Sequence, residues 1–113
     1  MKAIGVKKSL PITEQEALVD IEIPKPSVGD NELLIKVTAV AVNPVDTKIR
    51  MRIGQADDYK VLGWDAVGIV ENKGKHVSGF EIGDRVYYAG DISKPGCNAE
   101  YHCVDYRIVV HAP

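Results

Sequence analysis

The sequence is poor in the features that would place it in a specialised class. Only two cysteines occur among 113 residues, Cys97 and Cys103. With no secretory signal ahead of them they read as free thiols of a reducing compartment, so a cytoplasmic protein is expected and a disulfide framework is not. No apolar run approaches the roughly 20 residues that span a bilayer. The opening Met1–Val6 is too short, and too soon polar, to serve as a signal peptide. Charge of one sign is also missing: 14 Lys and Arg face 16 Asp and Glu, for a net charge of -2. The basic residues are scattered, which argues against binding nucleic acid through its phosphates. No internal repeat or low-complexity stretch divides the chain. Nowhere does a Gly-x-Gly-x-x-Gly run lie between a strand and a helix, so the dinucleotide fingerprint is absent too.

What remains is the composition of one ordinary soluble domain, 45% hydrophobic and 27% charged. Segments rich in Val, Ile or Tyr and bounded by turn residues predict strands at Lys2–Val6, Leu18–Ile23, Leu33–Val42, Ala66–Glu71, Arg85–Ala89, Glu100–Val104 and Arg107–Val110. In Leu18–Ile23, Val19, Ile21 and Ile23 alternate with Asp20 and Glu22, the pattern of a strand near an edge with one solvated face. Leu33–Val42 is apolar enough to be buried on one face and largely on the other. Gly74 and Gly83 are expected to supply positive φ in turns. Polar Gly54–Leu62 reads as a mobile loop. One helix start is clear, at Asn43-Pro44-Val45-Asp46: Asn at the N-cap, Pro at N1 and a carboxylate in the first turn. That helix is predicted to run to about Arg52. Many short strands at regular spacing suggest a barrel or sandwich.

Four runs stand in a recognisable order. Ala39-Val40-Ala41-Val42-Asn43-Pro44-Val45-Asp46-Thr47-Lys48-Ile49-Arg50 resembles the strand-to-helix corner of quinone oxidoreductases and their medium-chain dehydrogenase/reductase relatives. Leu62–Glu71 resembles their Gly-x-[Glu/Asp]-x-x-Gly-x-Val strand, and Phe80–Val86 their Gly-Asp-[Arg/Lys]-Val turn. Gly96–Tyr101 is similar to their Gly-x-x-Ala-Glu-Tyr strand. The resemblance implies a mostly β, GroES-like, partly open barrel with one or two short helices, forming the catalytic, substrate-side domain over residues 1–113. It also implies that a Rossmann cofactor domain follows in the complete protein, so the chain is expected to be an inactive piece of a larger enzyme. Family members usually pair through that second domain, which implies a homodimer for the complete protein and a monomer for this piece.

Zinc-dependent members place Cys where this chain has Asn43 and His-Glu where it has Trp64-Asp65. An amide and an indole are poor ligands for zinc, and the four-cysteine structural lobe has no counterpart. Cys97, His102 and Cys103 remain as donors, but His102 and Cys103 are neighbours on a predicted strand and should face opposite ways. No metal is expected. Without a Lewis acid, acceptors that delocalise the incoming charge are favoured over simple ketones, which points to a quinone or an α,β-unsaturated carbonyl reduced by hydride from NADPH.

By resemblance Asn43 lines the nicotinamide and substrate pocket, Asp46 holds the corner by hydrogen bonding, and Lys48 stands where relatives often carry an aromatic residue beside the cofactor. Asn43 and Asp46 also explain themselves as helix-start residues. Tyr59 is a candidate hydrogen-bond donor to a substrate carbonyl, or a surface residue of its loop. Trp64 either walls the substrate pocket or packs in the core. Asp65 needs a partner, for which an arginine of this domain or the next is expected. The alternatives are a zinc alcohol dehydrogenase with unusual ligands, a GroES-like binding module without catalysis, and an inactive relative that binds partners.

Overall fold

A computed structural model describes the backbone of all 113 residues and the side chains of all but Asp57. Eight strands and one α-helix follow in the order β1 (Lys2–Lys8), β2 (Val19–Glu22), β3 (Glu32–Ala41), α1 (Pro44–Arg52), β4 (Gln55–Val61), β5 (Asp65–Lys73), β6 (Arg85–Ala89), β7 (Tyr101–Asp105) and β8 (Val109–His111). A 3-10 turn at Tyr106–Ile108 links the last two. Every pairing is antiparallel, in a three-stranded sheet ordered β2-β1-β4 and a five-stranded sheet ordered β7-β3-β5-β6-β8.

The sheets meet along residues 96–100. Gly96, Cys97 and Asn98 donate backbone hydrogen bonds to Val61, Gly63 and Leu62, and Glu100 donates to Lys2 at 3.0 Å. On its other side the same segment accepts at Asn98 from Ile4 and at Glu100 from Val37, both at 2.9 Å. This rung bends the two sheets into the partly open barrel that the resemblance implied. Leu33, Ile35, Val70, Val86 and Cys97 are fully buried at the centre of the larger sheet. A second cluster joins Val6, Leu62 and Trp64 to Ile49 and Ile53 of α1. The first follows in part from period-2 patterning in β5 and β6, whose alternate residues are buried.

Four expectations are corrected. The loop placed at Gly54–Leu62 is mostly strand: β4 pairs with β1 through Gly5↔Val61, Val6↔Lys60 and Lys8↔Gln55. It is an edge strand, and its polar side chains suit solvent rather than disorder. The strand placed at Arg107–Val110 begins later, because Asp105 Oδ1 accepts from the Arg107 N–H and holds a 3-10 turn first. Gly74 has no positive φ; a Cβ there would strike the backbone oxygens of Gly29 and Asp30, so glycine is needed for close approach. Gly83, at φ 97°, does use the left-handed region. Finally, β3 is buried only over Leu33–Ile35, whereas Thr38–Ala41 are exposed.

Candidate functional site

Asn43 ends β3 and begins α1 with extended backbone, φ -123° and ψ 163°, and Pro44 follows at the first helical position. The Asp46 carboxylate turns back so that Oδ2 accepts from the Asn43 backbone N–H at 2.8 Å. The Asp46 N–H donates to the Asn43 carbonyl at 2.9 Å, and the two bonds clamp the corner reciprocally. The Asn43 amide reaches across to β5, where Nδ2 donates to Asp65 Oδ2. The expectation is corrected only for an arginine of this domain: within this chain the partner is Asn43, and no arginine bonds Asp65 among the described residues. Asp46 is only 7% exposed, and its Oδ1 has no hydrogen-bond partner among the described residues.

Asp65 is the first residue of β5, directly opposite Ala41 of β3 and Ala89 of β6. The next rung on that face is Ala39, Val67 and Tyr87. These residues line an open groove of about 460 Å³. Tyr87 is 45% exposed, and Val42 at the head of the groove is 74% exposed. The corner at Asn43 thus lies at the end of an uncovered apolar shelf of small side chains.

Trp64 points the other way, as strand alternation requires. It is 5% exposed, and its indole Nε1 donates to the Asp91 carbonyl at 3.0 Å, a partner that the sequence reading missed. With Ile49, Ile53, Tyr59 and Ile92 it lines a second cleft of about 540 Å³. Tyr59 stands on β4 with its ring 43% exposed and Lys7 Nζ lying 5.5 Å from the ring centre. The structure thus joins Asn43, Asp46 and Asp65 in one group, and Tyr59 and Trp64 in another. Lys48 belongs to neither: it is exposed on α1 and makes no hydrogen bond or ion pair among the described residues.

Cys97 lies behind the first group, its Sγ 3.8 Å from the Asp65 carbonyl oxygen. Burial, reinforced by Asp46 and Asp65, pushes this thiol up to about 12, so it stays protonated and unreactive. His102 and Cys103 face opposite sides of β7 as expected. His102 Nε2 donates to the Pro95 carbonyl at 3.0 Å, which leaves Nδ1 to accept from the Tyr88 hydroxyl at 2.8 Å.

The donor set does not suit a tetrahedral zinc. The Asn43 amide nitrogen and the Trp64 indole nitrogen have no free lone pair for a cation, and each donates a hydrogen bond instead. Among the described residues no three His, Cys, Asp or Glu side chains converge on a point where they could hold a metal. No helix among the described residues is long and apolar enough to cross a membrane.

Residues 29–113 match the family described as the alcohol dehydrogenase GroES-like domain. The chain is 41% identical over 114 residues to a zinc-type alcohol dehydrogenase-like protein of Staphylococcus epidermidis, covering all of this chain and 33% of that protein. It is 48% identical over 86 residues to the quinone oxidoreductase of Sus scrofa, covering 73% of this chain and 24% of that one. Among solved structures, a candidate zinc-dependent alcohol dehydrogenase from Rhizobium etli is 50% identical with a TM-score of 0.95, over all of this chain and 33% of that one. Escherichia coli quinone oxidoreductase complexed with NADPH is 26% identical with a TM-score of 0.85, again over all of this chain and 33% of its own. The chain therefore spans about a third of the length of these full-coverage relatives. It belongs to the alcohol dehydrogenase GroES-like domain family, within the medium-chain oxidoreductases.

Proposed function

We propose that this chain is the substrate-side domain of an NADPH-dependent oxidoreductase that reduces quinones or α,β-unsaturated carbonyls without a catalytic zinc. The observation that carries the reading is the Asn43–Asp65 pair set at the end of an open apolar shelf. Such a shelf fits one face of a flat nicotinamide ring, with a polar amide at its edge. The second wall of the cleft, and the phosphate-binding loop, would come from a Rossmann domain in the complete protein. NADPH, when bound, supplies the hydride.

The chain's own part is to orient, exclude water and place hydrogen bonds. Asn43 would set the position of the ring and of the acceptor carbonyl beside it. Val67, Tyr87 and the alanines of the shelf offer apolar surface to a flat hydrophobic acceptor. Tyr59 and Trp64 line the second cleft, apart from the Asn43 corner, and take no part in this step. An enone or quinone spreads the developing negative charge through its conjugated system, so one or two hydrogen bonds suffice where a saturated ketone would need a Lewis acid. Zinc enters no step in this reading, because an amide and an indole stand at the ligand positions and neither is a good zinc donor.

The test uses the complete protein and follows NADPH absorbance with a panel of quinones and enones, beside a parallel assay of saturated alcohols with NAD. Turnover of the first panel, with substoichiometric zinc by elemental analysis, is expected. Turnover of saturated alcohols alone, or one tightly held zinc per chain, refutes the proposal.

A further inference from the structure

Asp65 is a half-buried carboxylate among apolar neighbours. It begins an inner strand and sits on an apolar shelf between Ala41 and Ala89. No cation pairs with it among the described residues. Its side-chain contact is the hydrogen bond from Asn43 Nδ2. An ionised carboxylate accepts and never donates, so it forces the Asn43 amide into one of its two possible orientations, with nitrogen inward. The Asn43 backbone is held independently by Asp46, through bonds of 2.8 and 2.9 Å. The main chain and the amide of one residue are thus fixed by two different carboxylates on two different elements.

We infer that Asp65 is a positioning residue, which locks the Asn43 amide so that Oδ1 and the remaining N–H are presented in a single arrangement to whatever occupies the cleft. This inference rests on the proposed function for its effect on turnover, but not for the pairing itself. An asparagine in place of Asp65 keeps the size and removes the constraint, because an amide can offer either a donor or an acceptor to Asn43. The Asn43 amide then samples both orientations, and half of its hydrogen-bonding edge is wrong for the ligand at any moment.

The experiment compares D65N, D65E and wild type in the complete protein, labelled with 15N-asparagine, with N43A assigning the Asn43 side-chain signal. Three readouts are taken: the Asn43 Nδ2 proton shift, the kcat and KM for NADPH with 1,4-benzoquinone as probe, and the unfolding temperature. Expected are a wild-type amide proton displaced downfield, its collapse in D65N, and a drop of about ten-fold in kcat/KM, the size of one charge-assisted hydrogen bond. The unfolding temperature of D65N should stay within a few degrees of wild type, and D65E, which keeps the acceptor, should recover part of the loss. A D65N enzyme with wild-type kcat/KM overturns the inference, and so does one whose only change is a lower unfolding temperature. Should wild type turn over no quinone, the proposed function fails, and the amide shift alone decides the pairing: its absence in wild type overturns that as well.

Discussion

Acidification provides a sharp test of the packing around β7. His102 is 7% exposed, stacks on Tyr88 at 5.6 Å between ring centres and is neutral, with Nε2 donating and Nδ1 accepting. Burial lowers its pKa below the ordinary 6.5, against a weaker opposing pull from the Pro95 carbonyl and Glu32. The unfolded chain therefore takes up this proton first. Stability is complete above about pH 6.5 and falls as pH drops from there towards the folded-state value, by up to about 1.4 kcal/mol for each unit crossed. Asp84, Asp91 and Asp105 are lowered as well, but from 3.8, so their contributions are still whole where the histidine loss begins and fade only as the pH falls below 3.8. Urea unfolding of the 113-residue chain at pH 7.5, 6.5, 5.5 and 5.0 should show the loss beginning near 6.5. The H102Q variant should flatten it, since glutamine can hydrogen bond without titrating. Y88F should cost about 1–3 kcal/mol at every pH, because it strands the buried Nδ1 without a donor. A wild-type slope retained in H102Q would refute the assignment of this window to His102.

Other expectations follow from burial and close approach. Truncating Ile35, which is fully buried, to alanine should lower unfolding free energy by about 2–5 kcal/mol in urea titrations. G96A places a methyl group against the main chain of Leu62 and Gly63, which cannot yield as a side chain would, so circular dichroism should show a thermal midpoint lower than that of I35A. With an aromatic disulfide reagent at pH 8, Cys97 should label only on unfolding, and half-buried Cys103, its thiol raised to about 11 by burial, should react far more slowly than a free thiol.

The parts of the fold that were legible in the sequence are those specified locally. Period-2 alternation marks β5 and β6, and Asn-Pro-Val-Asp marks the start of α1 within a residue. Edge strand β4 was missed because its polar side chains carry no burial signal; only its pairing with β1, some 50 residues away, makes it a strand. The exposure of Thr38–Ala41 was missed for the opposite reason, since hydrophobicity is the same whether a strand is covered by its own domain or left open. Resemblance identified the corner, Trp64 and Asp65, but could not say which contacts they make.

The Asn43–Asp65 contact depends on a feature with no signature in composition. At Leu33 and Leu34 of β3 the partners on β5 are Lys73 and Asn72, and the register then slips so that Ile35 faces Val70. It slips back between Val37, opposite Gly68, and Ala39, opposite Val67, so Thr38 is the extra residue of a bulge, its hydroxyl donating to the Val67 carbonyl at 2.9 Å. Had the register of Ile35–Val37 run on, Ala41 would face Trp64, and by strand alternation the indole would lie on the shelf while Asp65 turned away towards the second cleft. The bulge exchanges the two. It places the carboxylate opposite Ala41, two residues before Asn43, and frees the indole to pack against Leu62 and Val6. The chemistry offered by the corner is thus decided by one unpaired residue five positions upstream, and deleting Thr38 should turn the shelf apolar at its polar end.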